Sequence, residues 1–224
     1  MVEATGELEA GGAPAPGDDL ASELAYVRSL AEEGRNAPLI GGRYYLIWGG
    51  LIGLTALFSY LNGVGAINLG FMGGFAPWIA AGLIGWVLSF TVGRRTCAKP
   101  GALTIGNQTA SSVWFGVGIF MTLFWTALIV AHDNYTGIGV PAYFLFSLMF
   151  PVAFGIYGVA FFATATAARL GWLRYFSYLS WGFCVSALFL LDSPHQLLVG
   201  AAGSLACAAL PGVLLMRAEP GDII

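Results

Sequence analysis

Residues 32–50 read EEGRNAPLIGGRYYLIWGG, and charge stops abruptly within this stretch. Two glutamates and Arg35 precede Arg43, after which an apolar run opens with Tyr44, Tyr45 and Trp48. Tyrosine and tryptophan favour the water–lipid interface, because each combines an apolar body with a polar tip. The pattern predicts that a membrane-spanning helix begins here and that Arg43 is the last charge outside the lipid.

The composition indicates an integral membrane protein. Only 9% of residues are charged and 58% are hydrophobic, whereas soluble globular proteins contain about 25% and about 45–50%, respectively. The formal net charge of −3 provides no positive field for nucleic acid, so no nucleic-acid partner is expected. No P-loop, nucleophile elbow or metal-ligand motif occurs in the sequence. We therefore predict no cofactor and expect that the protein is not an enzyme.

Six apolar runs after Arg43 are long enough to cross a bilayer, at about 17–25 residues each. The predicted spans are 44–61, 70–92, 111–131, 140–164, 175–191 and 197–216. Only helices can make such crossings one at a time, because unpaired backbone polar groups have no partner in lipid. We expect an all-α integral membrane protein whose transmembrane domain, 43–217, is a bundle of six helices. No run contains Asp, Glu, Lys, Arg or His, which argues against a proton-coupled pump, a voltage sensor or a charged-ion channel.

The basic residues predict the orientation of the bundle. If the six runs alternate in direction, all nine Lys and Arg residues fall on one side of the membrane. Lys and Arg are enriched in cytoplasmic loops, so both termini are predicted to be cytoplasmic. Residues 1–17 lack the apolar core of a signal peptide and are expected to form a disordered tail, with a second tail at 218–224. The Ala- and Gly-rich composition favours a bacterial inner membrane.

Small residues one helical turn apart let helix backbones approach closely within a membrane. Three such pairs occur in the runs: Gly49 and Gly53, Ala81 and Gly85, and Ala202 and Ala206. They predict close packing within the bundle, and contact between two copies of the chain is the alternative.

Three prolines, Pro77, Pro151 and Pro211, fall inside the second, fourth and sixth runs. Each removes a backbone hydrogen bond and is predicted to kink its helix. Broken helices also form binding sites in transporters. The prolines therefore support one functional hypothesis, a small transporter or transporter subunit for an apolar or lipid-like substrate.

Residues 18–36 are predicted to form a cytoplasmic amphipathic helix. Its apolar stripe consists of Leu20, Leu24, Val27 and Ala31. Because the segment carries more acids than bases, anionic lipid should repel it. The stripe is expected to pack either on the chain's own bundle or on a cytoplasmic or membrane protein partner. The leading functional hypothesis is therefore a non-enzymatic protein-interaction or regulatory component of the membrane.

Both histidines lie in loops predicted to be external, each beside an aspartate. His132 and Asp133 occur in AHDNYTG, and Asp192 and His195 occur in LLDSPHQ. If the two loops meet, these side chains could bind zinc or another divalent metal. An external-face metal-dependent enzyme is the third hypothesis. The alternative is that short loops simply collect polar residues, and Asp-Ser-Pro is an ordinary turn sequence.

Overall fold

The computed structural model describes residues 22–29, 38–96, 99 and 101–219. The chain divides into two compact units, Met1–Asn36 and Ala37–Ile224. Within the described ranges every regular element is a helix and none is a strand, so the predicted all-α class is confirmed. The predicted tail 1–17 lies outside the described residues, as do residues 220–224 of the second predicted tail.

In the first unit, helix α1 spans 22–29. In the second unit the described helices are α2 (Gly42–Gly63), α3 (Gly70–Thr96), α4 (Ile105–Val130), α5 (His132–Gly137), α6 (Ala142–Ser147), α7 (Met149–Ala167), α8 (Leu173–Phe189), α9 (His195–Ser204) and α10 (Leu210–Ala218). A π-helical segment, Leu205–Ala209, joins α9 to α10, and these three elements together are called the last helix.

Five helices in the described part of the chain are long and apolar enough to cross a membrane. They are Gly42–Gly63, Gly73–Arg94, Ile105–Val130, Tyr143–Ala167 and His195–Ala218. The fourth of these combines α6 and α7, which are separated only at Leu148. Helix α8, which corresponds to the predicted run 175–191, is not among them. It has 17 residues, about 26 Å of helix.

The helix bounds differ from the predicted runs mainly where polar side chains enter a helix. Helix α4 begins at Ile105 rather than at residue 111, which places Asn107 in its first turn. The last helix begins at His195 rather than at residue 197, so Gln196 is helical and buried. The predicted fourth run is interrupted at Leu148, between α6 and α7. Part of the predicted loop after the third run forms the short helix α5.

The interruption before α7 lies close to Pro151, the third residue of that helix. Proline has no backbone N–H, so Pro151 cannot donate to the carbonyl of Ser147 one turn earlier. The buried side-chain amide of Gln196 donates to that carbonyl instead, with an Nε2–O distance of 2.9 Å. The same nitrogen donates to the carbonyl of Ala187 near the end of α8, also at 2.9 Å. The Gln196 side chain thereby supplies the donor that Pro151 cannot give to Ser147, and it adds a second donor to the Ala187 carbonyl, which also accepts the backbone N–H of Leu190.

Pro211 is the second residue of α10 and follows the π-helical segment. The backbone N–H of Leu210 donates to the carbonyl of Leu205, which is five residues back, as in a π-helix, rather than four. Pro77 lies inside α3, which continues on both sides of it. Kinking of the helices at the three prolines stays a prediction.

Helix α2 packs backbone-to-backbone against the last helix. A Cβ atom on Gly42 would lie 2.6 Å from the carbonyl oxygen of Gly212, and one on Gly49 would collide with the backbone nitrogen of Ala209. At Gly53 a Cβ atom would lie 2.9 Å from Leu205 Cγ. Glycine is therefore required along this seam. Of the predicted small pairs, Gly49 and Gly53 lie in this intrachain interface.

The other two small pairs have different surroundings. A Cβ atom on Gly85 would lie 2.7 Å from the ring of Trp48 on α2, and Ala81 on the same helix is buried. Ala202, by contrast, is exposed. The pair formed by Ala202 and Ala206 therefore does not line the seam with α2.

Among the five candidate spans, the last helix is the most enclosed, and α3 and α4 are the least enclosed. In its apolar stretch, 50% of the last helix is buried, whereas the corresponding share is 11% for α3 and 6% for α4. Helix α3 packs on α2, and α4 packs on α7. The apolar side chains of these two peripheral helices therefore point outward, as expected for contact with lipid.

Two core clusters fill the second unit at different depths. The first core cluster comprises Leu39, Tyr45, Ala110, Phe161, Ala165, Leu173 and Leu215. The second comprises Ala56, Phe150, Phe154, Ala187 and Ala201. The first joins the start of α2 to the end of α10, and the second lies nearer the loops that precede α7 and α9.

Gly49→Ala and Gly50→Ala form a matched pair that tests the seam between α2 and the last helix. Alanine favours a helix over glycine by up to about 1 kcal/mol at either position. At Gly49 the added methyl meets backbone, whereas at Gly50 nothing lies within 4 Å of it. We expect Gly49→Ala to lower the thermal unfolding midpoint of the detergent-solubilised protein, with an overpacking cost of about 1–3 kcal/mol. Gly50→Ala should leave the midpoint unchanged or raise it, and equal behaviour of the two variants would contradict the packing.

Candidate interaction helix and the polar network at the basic end

One end of the second unit, called the basic end, gathers the Lys and Arg side chains that the structure describes there. The first core cluster lies at this end, where α2, α4 and α8 begin and α7 and α10 finish. The basic side chains are Arg43, Arg94, Lys99, Arg169, Arg174 and Arg217. The opposite end carries the loops with Asp133 and Asp192.

Asn107 on α4 ties together two segments at the basic end. Its side-chain nitrogen donates to the carbonyls of Pro38 and Gly101, both at 3.0 Å, and contacts the Thr104 hydroxyl at 3.1 Å. Its side-chain oxygen accepts the backbone N–H of Ile40 at 2.7 Å. Only 6% of Asn107 is exposed. The amide therefore fixes the chain entering α2 against the loop that precedes α4.

Glu219, the residue after α10, binds the start of α2. Its Oε1 atom accepts the backbone N–H groups of Gly41 at 3.0 Å and Gly42 at 3.1 Å. Its Oε2 atom accepts from Lys99 Nζ at 2.8 Å, and only 6% of the Glu219 side chain is exposed. Burial by itself would raise the pKa of Glu219, but the hydrogen bonds from Lys99, Gly41 and Gly42 outweigh it and lower that pKa. The carboxylate is therefore ionised at neutral pH.

Aromatic side chains in and around the first core cluster pack closely at the same end of the bundle. The ring of Tyr45 lies edge-on to Trp114 at 4.8 Å and stacks on Phe161 at 5.5 Å. The indole N–H of Trp114 donates to the hydroxyl of Thr164 at 3.1 Å, so its polar atom is satisfied. Leu39 is 4% exposed and belongs to the same cluster. The segment before α2 is thus held by apolar burial as well as by hydrogen bonds.

Helix α1 carries the described part of the predicted apolar stripe. Leu24 is 63% exposed and Val27 is 60% exposed. Tyr26, which points away from the stripe by helical periodicity, is exposed to a similar degree, at 65%. Leu20 and Ala31 of the predicted stripe lie outside the described residues. The described helix therefore displays two apolar side chains of the stripe on its surface.

The His and Asp residues of the predicted metal site have separate surroundings. His132 Nδ1 lies 2.9 Å from Oδ1 of its neighbour Asp133 at the start of α5. The ring of His195 lies 5.9 Å from that of Tyr60, and Asp192 has a φ of 67° in the turn after α8. Among the residues that the structure describes, no three His, Cys, Asp or Glu side chains are grouped so that they could hold a metal ion. The structure therefore does not bring the four residues into one such group, and metal binding by them stays a prediction.

The structural roles of Asn107, Gln196 and Glu219 were not predicted from the sequence. Asn107 had a local signal, because it stands beside Gln108 at the border of an apolar run. Gln196 could have been suspected as a donor for a carbonyl freed by proline, although the sequence does not say which carbonyl. Glu219 had no local signal, since its partners Gly41 and Lys99 are far away in the chain.

Asn107→Ala and Gln108→Ala compare a buried amide with an exposed neighbour on the same helix. Removing Asn107 leaves the Ile40 N–H and the Pro38 carbonyl without their partner, at a cost of about 1–3 kcal/mol per unsatisfied buried group. The Gly101 carbonyl still accepts from the backbone N–H and the hydroxyl of Thr104. Gln108 is exposed and its side chain donates to the Leu103 carbonyl. Replacing it should therefore change the free energy of unfolding by no more than about 0.5 kcal/mol. Thermal unfolding in detergent checks both values. A smaller effect at Asn107 than at Gln108 would contradict the network.

Comparisons with protein families, curated proteins and solved structures find no significant match to this chain. No family-level function therefore transfers to it.

Proposed function

We propose that the protein is a non-enzymatic component of a bacterial inner membrane that recognises a protein partner through its N-terminal helix. The observation that carries the proposal is the exposure of Leu24 and Val27 on α1. Apolar side chains on the surface of a charged helix are typical of helices that dock in a partner's groove, with anchors spaced three or four residues apart. The partner is a cytoplasmic or membrane protein with an apolar groove.

The polar network at the basic end supports this role. A docking helix is useful when the chain behind it is held in place, because less ordering is then required on binding. Asn107, Leu39 and Glu219 hold residues 38–42 through hydrogen bonds and burial. The bundle then serves as a membrane anchor with a rigid point of attachment.

We further propose that α8 is a sixth span. Its 17 residues reach the lower limit of about 17–25 for a spanning helix, and it runs alongside α7 over that length. Ring contacts join Phe176 to Phe161 at 6.3 Å and Phe183 to Phe154 at 5.6 Å, in the first and second core clusters respectively. An even number of spans places the start of α2 and the end of α10 on the same side of the membrane. This is the basic end, and Lys and Arg are enriched on the cytoplasmic side, so both are proposed to face the cytoplasm.

A second candidate is a small transporter or transporter subunit for an apolar or lipid-like substrate. It is favoured by the two helix irregularities, the break at Leu148 and the π-helical segment of the last helix. Discontinuous helices and π-bulges recur at functional sites of membrane proteins. The two candidates differ in the part of the chain that carries function, since transport would not require the stripe on α1.

Photo-crosslinking in native membranes tests the first candidate. A photoreactive residue at Glu23, which lies one helical turn from Val27 and therefore beside the stripe, should give discrete adducts with a protein partner in the otherwise unchanged chain. Leu24→Ser/Val27→Ser should abolish these adducts, because the anchors that fill the groove are gone, whereas Tyr26→Ser removes an equally exposed side chain from outside the stripe and should preserve them. An adduct pattern unaffected by Leu24→Ser/Val27→Ser would exclude the stripe as the binding surface.

A further inference from the structure

Helices α3 and α4 are held apart by bulky side chains. Helix α3 packs on α2, and α4 packs on α7. Toward the end opposite the basic end, the ring of Phe75 on α3 stacks on that of Trp125 on α4, with centroids 5.6 Å apart. Two stacked rings keep helix axes further apart than the about 8–10 Å of closely packed helices. Side chains of similar size would be needed farther along to fill the gap.

Glycines stand at the positions where such side chains would be needed. Gly82 follows Phe75 by seven residues, and Gly118 precedes Trp125 by seven residues. Seven residues make about two helical turns, so each glycine lies on the same helix face as the aromatic residue, about 10 Å nearer the basic end. No atom of the described residues lies within 4 Å of a Cβ atom built on either glycine. The space between these two faces is called the lateral cleft.

Tyr157 on α7 lies at the back of the lateral cleft. It follows Phe150 by seven residues, and the ring of Phe150 contacts Trp78 on α3 at 5.9 Å. Tyr157 therefore lies on the face of α7 that meets α3, at a depth similar to that of the two glycines. Its ring is 5.5 Å from that of Trp114, one turn before Gly118 on α4. Tyr157 thus lies between α3 and α4.

The hydroxyl of Tyr157 brings a polar atom into this apolar space. None of the residues that the structure describes forms a hydrogen bond with it. The neighbouring indole N–H of Trp114, by contrast, donates to Thr164 at 3.1 Å. A hydroxyl that lacks a partner in apolar surroundings carries a free-energy cost. A ligand with a hydrogen-bond acceptor would remove that cost.

We propose that the lateral cleft binds a lipid-soluble molecule with a flat unsaturated ring and a carbonyl oxygen, the chemical class of the quinones. Aromatic side chains favour a flat ring, because stacked and edge-to-face pairs contribute beyond the area they bury. The carbonyl oxygen would accept from the Tyr157 hydroxyl, which a hydrocarbon chain cannot do. Small-molecule sites typically combine apolar walls with a few polar groups in this way. The ligand would enter from the bilayer, because α3 and α4 are the peripheral helices.

This site deepens the second candidate function, a transporter for an apolar or lipid-like substrate, and rests on it rather than on the stripe of α1. It names the place where such a substrate binds and the groups that the substrate carries. Binding and transport are measured separately. Saturable binding without flux in reconstituted vesicles would retain the site and reject only the transporter.

Binding of decylubiquinone to the full-length protein in maltoside micelles tests the site, with saturable quenching of tryptophan fluorescence as the readout. Gly118→Leu places a side chain in the cleft and should weaken binding at least about tenfold. Gly116→Leu is the matched control, because Gly116 is exposed on the same helix and should leave binding unchanged. A Cβ atom meets nothing within 4 Å at either position, and leucine favours a helix over glycine. Thermal unfolding should therefore show both variants folded.

Tyr157→Phe tests the chemical class of the ligand. It should weaken decylubiquinone binding about two- to tenfold, through loss of one hydrogen bond. Decylbenzene, which has the same tail but no acceptor, is measured by competition and should bind both proteins equally. The unfolding midpoint of the ligand-free protein should not fall, because the hydroxyl has no partner among the described residues.

Three results would overturn the proposal. The first is an absence of saturable decylubiquinone binding by the wild type. The second is equal binding by Gly118→Leu and Gly116→Leu. The third is equal affinity of the wild type for both probes together with no effect of Tyr157→Phe, which would assign the cleft to a hydrocarbon chain.

Discussion

A hydrocarbon interior offers no water to a polar group, and this constraint accounts for most features of the second unit. Backbone groups are satisfied within helices, and where a helix is interrupted a side chain must take over. Gln196 does so when it donates to the carbonyl of Ser147, which Pro151 leaves without a backbone donor. The charged side chains of the bundle that the structure describes lie instead at helix ends and in loops, which is where the lipid boundary would fall.

Close contact between α2 and the last helix brings the start of α2 next to the residue that follows α10. Glycines at positions 42, 49 and 53 let α2 approach the backbone of the last helix. The same approach places Glu219 at the start of α2, where the helix has no acceptor of its own. Apolar packing along the seam and the polar network at its basic end therefore depend on one another. The segment before α2 gains a defined position from both.

The local pattern of the sequence predicts the existence of the long helices, because an unbroken apolar run in lipid has no alternative structure. The helix bounds were less predictable, since Asn107 and Gln196 look like loop residues until their partners are known. The break at Leu148 and the π-helical segment depend on packing around Pro151 and Pro211 that the sequence does not display. Glu219 could not have been assigned at all, because its three donors are brought together only by the fold. Leu20 and Ala31, two of the four residues of the predicted stripe, lie outside the described residues.

The most direct test of the account is a cysteine scan of the loops between the long helices, in a background in which Cys97, Cys184 and Cys207 are replaced. Single cysteines are introduced at Leu103 and Ile138, which are 80% and 75% exposed, and at Gly171 and Pro194 on either side of α8. An impermeant thiol reagent applied to intact cells should label Ile138→Cys and Pro194→Cys, whereas Leu103→Cys and Gly171→Cys should react only after the membrane is opened. Protection of both Gly171→Cys and Pro194→Cys would remove α8 as a span, and labelling of Leu103→Cys with protection of Ile138→Cys would reverse the orientation.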